Sequence, residues 1–307
     1  MSWFGWFRRS RSDEVTQGVD LGEGAPTFLL GGRQRVRGMP YLLPKDLEEG
    51  NRLDFQHFIL RYALQGNYAT PLRSPSSILD VGTGTGIWAR EMAQVFPGAN
   101  IVGLDVVPPP TQEVPMGSTA ASLHPANYTF VRGNILEGLP FADRAFEFVH
   151  MRLLFSAIPA DRWPFVAGEL ARVTTSGGWV ESVETTPPEG GDPAMDQIIA
   201  WLAAALAGRG VDLNYGGKVG ELLGATGLVQ MMAYLVPLPM GAHGGRIGRL
   251  LAIDYFAVVK GLSGMLAAQG IASAPQIEQT LAMAQRDVDS SRFRCVAPFY
   301  VTFGQRV

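Results

Sequence analysis

Residues 78–89 read ILDVGTGTGIWA. An apolar strand-forming run ends in Asp80, glycines follow at 82, 84 and 86, and a helix-forming run begins. Glycines between a strand and a helix let the backbone turn tightly and approach a ligand closely, while the helix start presents unpaired N–H groups. Such a loop constrains what surrounds it, because it works only where parallel strands alternate with helices. The rest of the chain alternates in this way. Strands are expected at 78–81, 100–105, 128–132, 145–150 and 177–184, with helices at 87–96 and 162–173. This is the pattern of a parallel α/β sheet with helices on both faces.

Two cofactor classes fit a glycine loop of this kind. Gly84, Gly86 and Ala89 match the dinucleotide pattern G-x-G-x-x-A, and Asp105 lies where an acid would accept from ribose hydroxyls. Asp80 argues against a dinucleotide. A carboxylate at the mouth of the loop would repel a pyrophosphate by about 4 kcal/mol at a few ångströms and an effective dielectric near 20. It would attract a cation instead. S-adenosylmethionine carries an ammonium and a sulfonium and no phosphate, so Asp80 suits its methionine end and Asp105 its ribose.

With these residues in view, LDVGTGTGIWA resembles the first motif of the class I S-adenosylmethionine-dependent methyltransferases, and IVGLDV (101–106) their second strand with its terminal acid. VRGNILEGLPF (131–141) is similar to the segment that lines the adenine, with Asn134 where most members have Asp. FEFVHMRLLF (146–155) and TTSGGWVESVE (174–184) resemble the fourth and fifth strands. YLLPKDLEEGNRLDFQH (41–57) is similar to a stretch ahead of the first motif in fungal LaeA-like methyltransferases. The resemblance covers about residues 40 to 307 and is loose in the C-terminal third. It implies a Rossmann-like seven-stranded sheet with the last strand antiparallel, an N-terminal helical lid, and C-terminal helical additions that shape an acceptor pocket.

The expected organisation is an arm at 1–38 that is flexible, then a methyltransferase domain at 39–307. Within it, 39–70 is the helical lid, 75–185 the cofactor-binding core and 186–307 the acceptor part. The lid helix is expected over 42–64, with Leu53, Phe58, Ile59 and Tyr62 on one face. Helices at 192–210, 219–228, 246–268 and 274–288 and strands at 229–239 and the C-terminus complete the reading.

A net charge of −3 over 307 residues gives no pull toward nucleic acid, and no basic–aromatic interleaving is seen. The single cysteine, Cys295, excludes an internal disulfide and fits a reducing cytoplasm, and with four scattered histidines no metal site is expected. MSWFGWFRRSRS at the start lacks the order of a secretory signal, and the longest apolar run, IIAWLAAALA, is too short to span a membrane. A protein partner held through the arm and a homodimer are the expected macromolecular contacts.

Candidate cofactor-binding residues are Asp80, Gly82, Thr83, Gly84, Gly86, Asp105, Val106, Asn134 and Ile135, with Tyr41, Arg52 and Gln56 from the stretch ahead of the loop. His150 ends a strand whose carboxyl end belongs to the site in such sheets and is the leading candidate for a catalytic base; His57 and Glu184 follow it. Arg152, Tyr215 and Tyr255 are candidate substrate contacts. Methionines and aromatics in the C-terminal third, among them Met231, Met240 and Phe256, suit a small apolar acceptor in secondary metabolism. O-, N- and C-methylation all remain open. So do a LaeA-like regulator acting through partners, a cyclisation or rearrangement on the same fold, and a nicotinamide oxidoreductase.

Overall fold

The computed structural model describes residues 27–30, 33–36, 43–44, 46–109, 125–290 and 294–307. A two-stranded antiparallel hairpin, β1 (Thr27–Leu30) and β2 (Arg33–Val36), falls within the stretch expected to be a flexible arm. Helix α1 (Leu47–Ala63) follows. It starts after Pro44 because Asp46 caps it, accepting from Glu49 N at 3.1 Å. Arg33 of β2 donates to both oxygens of the same carboxylate, at 2.6 and 2.7 Å.

The main sheet has seven strands: β3 (Ser77–Val81), β4 (Asn100–Asp105), β5 (Tyr128–Arg132), β6 (Phe146–Arg152), β7 (Thr174–Thr185), β8 (Val229–Met240) and β9 (Cys295–Gln305). Their order is β5-β4-β3-β6-β7-β9-β8. The pairs among β3 to β7 are parallel, and β9 runs antiparallel to both its neighbours. The chain builds outward from β3 in one direction through β4 and β5, then in the other through β6 and β7. The strand order therefore reverses between β3 and β6, and a crevice opens at the carboxyl ends of such strands.

Every residue of β3 is buried, as a strand covered on both faces requires. Ile78 packs with Phe148 and with Trp88 and Met92 of α2 (Ile87–Val95) on one face. Leu79 and Val81 pack on the other with Trp163, Val166 and Leu170 of α3 (Trp163–Val173). A third core joins α1 to four C-terminal elements: α4 (Pro193–Ala207), α6 (Gly245–Ala268), α7 (Ala274–Val288) and the β8–β9 pair. The short helix α5 (Val219–Ala225) packs under β8 and β9. The stretch Ala242–Ala268 has the length and mean hydropathy, 1.5, of a membrane-crossing segment, but half of it is buried inside the protein.

Helix α1 departs from its expected face. Phe58 and Tyr62 are exposed, at 53% and 72%, while Glu49, His57, Ile59 and Leu60 are buried. Residues 49, 52, 53, 56, 57 and 60 recur at helical spacing, so the inward stripe carries Glu, Arg, Gln and His among its leucines. Partners elsewhere in the chain make that polar stripe tolerable.

Candidate active site

The loop from β3 to α2 holds Gly82, Gly84 and Gly86, all with positive φ, at 72°, 57° and 76°. A side chain at Gly82 would meet Leu154 at 2.7 Å, and one at Gly86 would meet the Tyr128 hydroxyl at 2.7 Å. Only glycine satisfies both the dihedrals and the space at these positions. Leu104 O accepts from Gly82 N and Thr83 N at 2.8 and 3.0 Å, and Asp105 accepts from Gly84 N at 3.0 Å. The acid at the end of β4 thus reaches back to the loop it was expected to serve.

Beside this loop lies a cavity of about 290 Å³. Asp80, Gly82, Thr83, Gly84, Asp105, Val106, Asn134 and Ile135 line one part of it, with Arg52, Gln56, His150, Arg152 and Tyr255 also on its wall. The C-terminal helices and β9 complete it with Ile199, Leu202, Leu206, Leu251, Val258, Leu262 and Phe299. One enclosure therefore joins the glycine loop to an apolar chamber.

On its wall, His150 Nδ1 lies 2.9 Å from Asp80 Oδ1, the two residues being register partners on β6 and β3. Asp80 Oδ2 accepts from the Thr83 hydroxyl at 2.6 Å. An ionised Asp80 places the imidazole hydrogen on Nδ1. The ring stacks on Trp88 with centroids 3.8 Å apart and planes within 4°, and is 1% exposed. Among the described residues its Nε2 has no hydrogen-bond partner.

Several expected residues do other work. His57 does not line the cavity. It is buried between Arg152, whose Nη2 donates to His57 Nδ1 at 3.0 Å, and Glu91, 3.2 Å from His57 Nε2. Burial and the Arg152 charge push its pKa down to about 4, so it is a neutral acceptor at neutral pH. Glu184 is likewise off the cavity wall. Its two oxygens accept from Leu154 N and Phe155 N, at 3.1 and 3.0 Å, and burial pushes its pKa up to about 8. It holds the turn after β6, where Leu153 adopts a positive φ of 56°. Glu181, on the other face of β7, accepts from Ala69 N, Thr70 N and the Thr70 hydroxyl.

Tyr215 also lies away from the cavity; it stacks on Trp163 at 5.7 Å with Lys218 over its ring at 5.0 Å. Gly86 caps α2 rather than lining the cavity. Tyr41 lies outside the described residues. Asn134 lines the cavity but also caps the turn Ile135–Glu137, accepting from Leu136 N at 3.1 Å. Tyr255 has no hydrogen-bond partner for its hydroxyl among the described residues, and burial raises its pKa, so it remains a donor.

Asp254 of α6 lines the cavity and was not anticipated. Its Oδ1 accepts from Arg52 Nη1 and its Oδ2 from Gln56 Nε2, both at 2.8 Å. Glu49 takes the other edge of Arg52, at 2.6 and 2.9 Å. This cluster is the partner that lets α1 bury its polar stripe. A lone acid inside the apolar run RLLAIDYFAVV was the signal available for it. Asp54, also on α1, accepts from the Thr85 hydroxyl and ties the helix to the glycine loop.

Comparison with known proteins adds to this geometry. Residues 78–178 match the family described as Methyltransferase domain. The chain is 28% identical over 200 residues to Methyltransferase str2 of Strobilurus tenacellus, covering 63% of this chain and 68% of that one. It is 26% identical over 220 residues to Secondary metabolism regulator LAE1 of Cochliobolus heterostrophus, covering 66% of each. It is 26% identical over 279 residues to N-methyltransferase sirN of Leptosphaeria maculans, covering 87% of this chain and 94% of that one. The chain is thus similar through residues 78–178 to the methyltransferase domain family, and over about two thirds of its length to proteins named as methyltransferases and as secondary metabolism regulators.

Proposed function

We propose that the protein methylates a small, largely apolar acceptor, with His150 taking the acceptor's proton where it carries one. The observation that carries the reading is the continuity of one cavity from the glycine loop, past His150 Nε2, to a wall of leucine, isoleucine and phenylalanine. The chain fits its cofactor at the polar end. A Cβ at Gly84 would come within 4 Å of Leu53 alone among the described residues, which leaves the loop open to a flat ligand, and Asp105 stands at the wall for ribose hydroxyls. Leu104, Val106 and Ile135 offer apolar contact to an adenine, with Asn134 beside them.

Bound there, S-adenosylmethionine supplies an electrophilic methyl on its sulfonium. The protein aligns the acceptor and excludes water. Asp80 fixes the His150 tautomer, Trp88 fixes its plane, and Nε2 is left as the acceptor of a proton. The names of the relatives support a place in secondary metabolism.

The test is calorimetry followed by turnover. The protein should bind S-adenosylhomocysteine and not NADH, and it should form S-adenosylhomocysteine when given apolar hydroxy, amino or phenolic acceptors. Failure to bind S-adenosylhomocysteine at saturating concentration would end the proposal.

A further inference from the structure

Among the described residues two arginines line the cavity, Arg52 and Arg152. Arg52 is committed: its Nε and Nη2 donate to Glu49 and its Nη1 to Asp254. Arg152 is not. Among the described residues its one hydrogen bond goes from Nη2 to the neutral His57, and no carboxylate lies within ion-pair distance of it. A guanidinium has five N–H donors, so most of its fork is unused.

Arg152 is only part-buried, but partial desolvation without a bound anion still disfavours its charge. Asp80, Glu181, Glu91 and Glu184 offset part of that through their field, Asp80 most. None of the four lies within ion-pair distance of Arg152, and each holds other partners, Glu181 through Oε2 only. Asp80 binds His150 and Thr83, Glu181 binds residues 69 and 70, Glu91 binds Arg61 and Asn67, and Glu184 binds the 154–155 backbone. Arg152 also sits two residues beyond His150 on β6, which puts the two side chains on one face of the strand. The unused fork is therefore next to the reacting end of the cavity.

We infer that Arg152 is a carboxylate-binding residue, its free edge taking a carboxylate carried by the cofactor's amino-acid end or by the acceptor. The inference rests on the proposed function for the identity of those ligands. Planar, bidentate recognition of a carboxylate is what a guanidinium does better than any other side chain. Beside Asp80 it would complete a pair of opposite charges suited to a zwitterion.

The experiment titrates the full chain by calorimetry with S-adenosylhomocysteine, and with methylthioadenosine, which lacks the amino-acid end. It then uses decanoate and decanol as acceptor probes, with and without S-adenosylhomocysteine. Arg152→Met removes the charge; Arg152→Lys keeps it, loses the fork, and serves if the first variant does not fold. If the cofactor supplies the carboxylate, S-adenosylhomocysteine weakens at least about tenfold in Arg152→Met while methylthioadenosine is unchanged. If the acceptor supplies it, S-adenosylhomocysteine is unchanged, and the wild type's preference for decanoate over decanol disappears in the variant. Equal losses for both nucleosides with the decanoate preference intact, or no change in any arm, would overturn the inference. A wild type that binds neither nucleoside would sink the proposed function alone, since the decanoate arm still decides Arg152.

Discussion

Replacing Glu184 by Gln should reverse its effect on stability between acid and alkaline pH. In the folded protein burial pushes this carboxyl to about 8, against an ordinary 4.5. A carboxyl raised on folding contributes stability fully below pH 4.5, and that contribution is lost as pH rises through 8. The full shift corresponds to about 5 kcal/mol at 1.36 kcal/mol per unit, of which about 2 kcal/mol falls between pH 6.5 and 8. Glutamine is neutral throughout, but one carbonyl oxygen must now serve the two amides of Leu154 and Phe155. Losing one such bond costs about 1 kcal/mol. At pH 5 the variant should therefore be slightly less stable than the wild type, and at pH 9 more stable by about 2–4 kcal/mol. Urea midpoints of both proteins at half-unit steps from pH 5 to 9 measure the difference directly, and other titrating groups cancel. A constant difference across the range would mean that the two amides keep the carboxylate ionised throughout, and the burial argument would fail.

Three further outcomes are expected. His150→Ala should lower turnover by about 10²–10⁴-fold while S-adenosylhomocysteine affinity, read by calorimetry, changes little. Asp105→Ala should weaken S-adenosylhomocysteine by about tenfold or more, because a charged acceptor for hydroxyls is lost; unchanged affinity would remove Asp105 from the ribose role. Asp254→Ala should destabilise the protein by about 1–3 kcal/mol and speed hydrogen exchange in Leu47–Ala63, since Arg52 and Gln56 lose the partner that anchors α1 to α6.

What could be read from the sequence was what depends on neighbours in the chain. The glycine loop announces itself because strand, turn and helix are consecutive, and Gly82 and Gly84 adopt the positive-φ conformations that glycine favours. The parallel strands follow from their apolar runs. The face of α1 could not be read this way. Arg52 and Asp254 are 202 positions apart, and until they meet, Arg52 reads as a cofactor contact. Glu181 and Glu184 lie on opposite faces of β7, as a period of two requires, and neither lines the cavity. Each is taken up by backbone amides from a distant loop, at Thr70 and at Leu154, that no local pattern identifies. Tyr215 was misplaced for a similar reason: its partner, Trp163, comes from a different helix.

Asp80 gains a second duty from the structure, and Asp80→Asn separates the two. As a counter-charge, it would draw the cofactor's ammonium; as the partner of His150 Nδ1, it decides which imidazole nitrogen carries the hydrogen. Asparagine keeps one acceptor oxygen and adds two donors. If its oxygen stays with the Thr83 hydroxyl, its amide hydrogens face Nδ1, and the imidazole hydrogen must move to Nε2. The lone pair then points away from the cavity and the base is lost, a change of tautomer rather than of position. Turnover should fall by about as much as in His150→Ala, roughly 10²–10⁴-fold. The counter-charge role shows in a different measurement, a loss of affinity for S-adenosylhomocysteine that methylthioadenosine, with no ammonium, does not share. A variant that turns over at the wild-type rate has no need of the dyad, and one that binds both nucleosides as the wild type does has no need of the charge.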